Sequence, residues 1–85
     1  MNRTEIFEKL KEIIVAADES LAGKMPGVSE DTRILEDLGF TSVGMLFMAV
    51  VIEEAFSIQL EHVDIWSLRT LGDVIDAIQN LRGMA

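Results

Sequence analysis

Ser42 stands at the mouth of the most apolar stretch of this sequence, VGMLFMAVVI, residues 43–52. A hydroxyl becomes a nucleophile when a base lies within hydrogen-bond reach and donors await the developing oxyanion. The single histidine, His62, falls in a different expected element, and GFTSVG is not a G-x-S-x-G elbow. A hydrolytic triad is therefore not expected. With no cysteine and one histidine, no zinc ligand set can be assembled. The acidic pairs Glu36-Asp37 and Glu53-Glu54 are sequence neighbours, and neighbours on a helix diverge, so both pairs read as solvated. Gly39 and Gly44 are isolated, and no lysine follows at Walker spacing, so there is no phosphate-cradling loop.

Ser42 itself has two readings. Thr-Ser ahead of an apolar run is an ordinary helix start, with Thr41 as a cap stabilising it by about 1 kcal/mol. A helix N-terminus also presents unpaired N–H groups and a partial positive charge, which suit a phosphate attached there. An exposed hydroxyl in that first turn is better placed to be modified by another enzyme than to act alone.

The elements that must position it follow from periodicity. Ile6, Leu10, Ile13, Ile14, Ala17 and Leu21 recur at helical steps, and Asn2 with Glu5 resembles a capping pair. This predicts a helix from near residue 3 to Leu21 or Gly23. Residues 23–39 read as a long connection in which Pro26 pushes Met25 out of helical geometry. Ser29–Thr32 is set to cap a short turn, and Ile34, Leu35 and Leu38 are expected to anchor the connection. The second helix should begin at Thr41 or Ser42 and end near Phe56, with Met48, Ile52 and Phe56 inward. Its apolar residues exceed one face, so Leu46, Phe47 and Val50 are expected outside as a docking surface, although apolar residues are more often core.

Beyond it, residues 56–60 read as an extended link. Residues 62–68 read as one or two helical turns anchored by Val63, Ile65, Trp66 and Leu68. The last helix is predicted from the cap Thr70 with Asp73, burying Leu71, Val74, Ile75, Ile78 and Leu81 and stopping before Gly83. The fold class is all-α: a four-helix bundle of three main helices plus a short one, in a single domain spanning 1–85.

Composition narrows the partners. The formal net charge is −8, from 7 basic and 15 acidic residues, which disfavours nucleic acid and anionic lipid and favours partners with basic patches. The absence of cysteine is compatible with a cytoplasmic protein. The first residues lack the pattern of a secretory leader. The apolar run Val43–Ile52, closed by Glu53-Glu54, is too short to cross a bilayer. A monomer is expected.

Three blocks in order carry a resemblance: Ile34-Leu35-Glu36-Asp37-Leu38-Gly39-Phe40-Thr41-Ser42-Val43, then Glu53-Glu54-Ala55-Phe56-Ser57-Ile58-Gln59-Leu60, then Thr70-Leu71-Gly72-Asp73-Val74. Over nearly its whole length the chain resembles the acyl carrier proteins. The resemblance implies a helical bundle whose serine, Ser42 here, receives 4′-phosphopantetheine from coenzyme A, with Thr41 and Val43 flanking the attachment point. It implies a carrier rather than an enzyme, served by a phosphopantetheinyl transferase and by acyl-loading and acyl-processing enzymes. It places Leu46, Phe47, Val50 and Ile65 on the side that meets partners. The thiol absent from the sequence would arrive with the arm.

Two departures stand out against the family pattern. Thr41 replaces the aspartate that precedes the serine, and Val43 replaces the leucine after it. Leu46, Phe47 and Val50 occupy positions on the second helix where acidic residues are usual, so partners that dock through Arg and Lys would find less to hold. A dedicated carrier in a specialised fatty-acid, polyketide or peptide-type pathway is expected. The alternatives are a degenerate carrier fold that only binds proteins and an unrelated helical domain.

Overall fold

The computed structural model describes residues 1–83. Three α-helices, α1 (Arg3–Ala17), α2 (Ser42–Phe56) and α3 (Leu71–Gly83), are joined by two 3-10 segments, Glu19–Gly27 and Ile65–Ser67. α1 opens with a reciprocal capping box. The Asn2 side chain accepts the Glu5 N–H at 2.8 Å, and the Glu5 carboxylate accepts the Asn2 N–H at 3.1 Å. Ile6, Leu10, Ile13 and Ile14 are buried along one stripe.

The helix stops earlier than its periodicity predicts. Asp18 leaves helical geometry (φ −151°), and its carboxylate accepts the Ser20 N–H at 3.0 Å and the Ser20 hydroxyl at 2.6 Å. A short polar side chain bonding the backbone two residues ahead competes with the helix. The chain continues as a nine-residue 3-10 helix that still buries Leu21 and contains both Met25 and Pro26. Proline's fixed φ is compatible with this geometry, so Met25 is not expelled from helical structure as expected.

The connection ahead of α2 is fastened at several points. Ser29 N–H donates to Thr32 Oγ1 at 2.8 Å, and Ile34 and Leu38 are buried. Leu35, expected as a third anchor, is exposed. Backbone bonds bind this segment to the start of α3: Ile34 N–H to the Arg69 carbonyl at 2.9 Å, and Leu71 N–H to the Thr32 carbonyl at 3.1 Å. Gly72 N–H reaches the Glu30 carbonyl at 2.8 Å. A Cβ on Gly72 would lie 3.0 Å from that same oxygen, so the close approach uses glycine.

α2 buries Met48, Ile52 and Phe56, as expected of its inner face, and Met45 with them. It ends at Ser57 in the left-handed region (φ 55°), and residues 58–60 run on without regular structure, burying Ile58 and Leu60. Glu53 is not simply solvated: its carboxylate accepts the Leu60 N–H at 2.7 Å and holds this link against α2. Helical structure in the next segment is limited to Ile65–Ser67, and Trp66 is exposed rather than an anchor.

α3 starts with Thr70 Oγ1 accepting the Asp73 N–H at 3.1 Å while the Asp73 carboxylate accepts the Thr70 N–H at 3.2 Å. Leu71, Val74, Ile75 and Ile78 are buried, and Leu81 packs against the core half-buried. The helix runs through Gly83 instead of stopping before it. Arg82 donates to the Phe56 carbonyl at 2.9 Å, tying α3 to the end of α2. Among the described residues the fold is an all-α bundle without β-strands, apart from one isolated bridge between Arg33 and Thr70.

Candidate functional site

The approach to α2 is shaped residue by residue. The Asp37 carboxylate accepts the Arg33 N–H at 2.8 Å and faces the Arg33 guanidinium at 3.1 Å. These contacts, the backbone N–H foremost, hold the carboxyl below its ordinary range. Gly39 then turns the chain through the left-handed region (φ 74°), which glycine enters without a steric cost. Phe40, half-buried, packs against the core.

Thr41 is the cap. Its extended backbone (φ −88°, ψ 174°) leads into the helix, its hydroxyl oxygen accepts the Gly44 N–H at 3.2 Å, and its carbonyl accepts the Met45 N–H at 3.0 Å. Ser42 is the first helical residue and is exposed. Capping therefore falls to Thr41, and the Ser42 hydroxyl is not needed for it. The N–H groups of Ser42 and Val43, in the first turn, have no acceptor within the helix. No acidic residue occupies that turn, so nothing there opposes an anion.

These residues fit a phosphopantetheine arm. An exposed primary hydroxyl could accept the group from its donor, and the N–H groups and helix dipole beside it suit a phosphodiester. Val43 is 75% exposed, which leaves the approach to Ser42 open. The Phe40 ring lies over Gly44, where a side chain is absent.

The same helix turns an apolar surface outward. Leu46, Phe47 and Val50 are each about half exposed, at 51, 52 and 54%, as the outer-face reading requires. Ile65 is half-buried. It lines a small apolar cavity between α2 and α3 together with Met45, Met48, Ile52, Val74 and Ile78. At about 20 Å³, that cavity has room for little more than one water molecule.

His62 is exposed beside Glu61 at 3.6 Å, in the segment between α2 and α3. The described residues contain no cluster of His, Asp and Glu that could hold a metal ion. Two elements of the site carry no assignment from sequence alone: the Phe40–Gly44 contact and the Glu53–Leu60 bond. The first has a sequence signal, an aromatic residue four positions before a glycine astride the cap. The second depends on a chain reversal that periodicity does not encode.

With this geometry in hand, comparison with known proteins is direct. Residues 8–78 match the family model described as the phosphopantetheine attachment site. An acyl carrier protein of Thermotoga maritima is 29% identical over 96% of this chain and 98% of its own length. One from Campylobacter hominis is 31% identical over 91% of this chain and 94% of its own length. A third, from a Sulfurovum species, is 32% identical over 89% of this chain and 97% of its own length. A match of this extent, on an all-α bundle, shows that the chain belongs to the phosphopantetheine-attachment family of acyl carrier proteins, which are carriers and not catalysts.

Proposed function

We propose that Ser42 is the residue to which 4′-phosphopantetheine is attached, and that the chain works as a one-domain, monomeric carrier in the cytoplasm. The observation that carries this reading is the division of labour at the start of α2: Thr41 caps the helix while Ser42 stays exposed. When bound, the group supplies a thiol that holds an acyl group as a thioester. The chain's own part is to present the hydroxyl to a phosphopantetheinyl transferase, with Thr41 and Val43 on either side. The first-turn N–H groups then stabilise the resulting phosphodiester.

Partner choice is where this carrier departs from a general one. Leu46, Phe47 and Val50 form the outward face of α2, and Ile65 adds its exposed part. We infer acyl-loading and acyl-processing partners with apolar contact surfaces, in a dedicated fatty-acid, polyketide or peptide-type pathway. The net charge of −8 argues against nucleic acid and anionic membranes as partners. No helix among the described residues is long and apolar enough to cross a membrane.

Intact mass after incubation with coenzyme A and a broad-specificity transferase tests the assignment. The chain should gain one phosphopantetheine increment, and Ser42→Ala should gain none while keeping its helical content. An increment that persists in Ser42→Ala would overturn the assignment. No increment on the parent chain would favour a carrier fold retained for protein binding alone.

A further inference from the structure

Two apolar side chains read from sequence as anchors, Leu35 and Trp66, are in fact 47% and 51% exposed, and they face one groove. It has a volume of about 350 Å³ and is bounded by Arg33, Leu35, Met45, Trp66, Arg69 and Thr70. Its two walls are fixed to each other by the Arg33–Thr70 bridge and by the bond from Ile34 N–H to the Arg69 carbonyl. Met45 follows Ser42 by one helical turn, a rise of roughly 4.5 Å, so one wall of the groove lies within a turn of Ser42 along α2.

The charge in this groove runs against that of the whole molecule. Arg33 is committed to Glu36 and Asp37, Arg3 to Glu30 and Asp76, and Arg82 to the Phe56 carbonyl. Glu36 also lines the groove, but it is engaged by Arg33. The Asp73 carboxylate nearby accepts backbone N–H groups of Arg69 and Thr70. Among the described residues, the Arg69 guanidinium forms no ion pair. A guanidinium without an ion-pair partner and an exposed indole thus line the same groove on a chain of net charge −8.

We propose that this groove receives the free end of a carboxylate-terminated acyl group carried on the chain's own arm, with the carboxylate on Arg69 and the spacer across Trp66 and Leu35. The inference rests on Ser42 as the attachment site. Guanidinium binds carboxylate through paired, charge-assisted hydrogen bonds. Such a contact is weak when both partners are free in water, but tethering makes the second event intramolecular and raises the effective concentration. A neutral acyl chain has no group for Arg69 to pair with and gains nothing from it.

Trp66 is the single tryptophan, so its fluorescence reports on the groove directly. The chain is loaded by a broad-specificity transferase with the arm from glutaryl-coenzyme A or from hexanoyl-coenzyme A, and loading is confirmed by intact mass. The glutaryl form should show a shifted Trp66 emission and a loss of acrylamide quenching relative to the hexanoyl form. Arg69→Gln should abolish that difference, and high salt should diminish it in the parent chain, a readout that does not depend on the variant folding. Equal spectra for the two loaded forms, or a glutaryl-specific shift that survives in Arg69→Gln, would overturn the inference while leaving Ser42 in place. Failure of the parent chain to gain either mass would remove the Ser42 assignment and this inference with it.

Discussion

The ring of Phe40 lies against the bare backbone of Gly44, so that a Cβ built on Gly44 would come within 2.8 Å of the ring's Cδ1. The contact spans the cap: Phe40 precedes Thr41, and Gly44 closes the first turn of α2. It packs the loop against the first turn of α2, and Ser42 between the two residues is exposed. Replacing a helical glycine by alanine normally stabilises by roughly 1 kcal/mol. Here the added methyl must displace the ring, so Gly44→Ala should give none of that gain. In a Phe40→Ala background the obstruction is gone, and Gly44→Ala should then stabilise by about 1 kcal/mol. Denaturant titrations of the four chains measure the coupling, and additivity would show that the contact has no energetic weight.

Thr41 supplies the other half of this geometry. Its hydroxyl oxygen accepts the Gly44 N–H at 3.2 Å, and loss of such a cap costs about 1 kcal/mol. Thr41→Ala should show that loss in a denaturant titration. Thr41→Asp keeps the acceptor and adds a negative charge at the positive end of α2, so its stability should equal or slightly exceed that of the parent. A Thr41→Ala chain as stable as the parent would show that the bond does not support the helix.

Much of this arrangement is legible in the sequence because periodic burial and capping chemistry are local. Asn2 with Glu5, Thr41 before the apolar run, and Thr70 with Asp73 each locate a helix start that the structure reproduces. The helix ends are harder to read. Leu21 fits the stripe of α1 by spacing, yet Asp18 bonds forward to Ser20 and diverts the chain, and Leu21 reaches the core from a 3-10 helix. Size also misleads at Trp66 and Leu35. Both are large and apolar, but one lies in a three-residue turn and the other in a loop, where no helical stripe dictates which way they face. Their exposure becomes understandable only with the groove they share, which depends on a long-range bridge between Arg33 and Thr70.

Asp37 makes stability depend on pH in a defined direction. Its carboxyl is held below the ordinary range in the folded chain, first by the Arg33 N–H and then by the Arg33 guanidinium. A carboxyl with a depressed folded pKa stabilises fully above the unfolded value, about pH 4. That contribution is lost as pH falls through the lower folded value. Asp37→Asn should therefore melt below the parent at neutral pH, and the gap should close in strong acid. A gap of the same size at both pH values would show that the charge on Asp37 is not its source.

The two faces of α2 can be told apart by opposite responses to substitution. Phe56 is 1% exposed and closes the inner stripe of Met45, Met48 and Ile52, whereas Phe47 is 52% exposed on the outer face. Truncating a buried phenylalanine removes its transfer energy and leaves a cavity, a loss of roughly 3–5 kcal/mol. A small domain has only about 5–15 kcal/mol of stability in total, so Phe56→Ala should lower the unfolding midpoint sharply. Phe47→Glu places a charge where water already reaches, so its stability should stay within about 1 kcal/mol of the parent. Its effect should appear instead in association: a partner that closes over Leu46, Phe47 and Val50 would have to bury an unpaired carboxylate, which weakens the complex and mainly speeds its dissociation. Chemical denaturation of both variants, paired with binding kinetics to a loading enzyme, separates these outcomes. Unfolding by Phe47→Glu together with tolerance of Phe56→Ala would mean that the inner and outer faces are reversed.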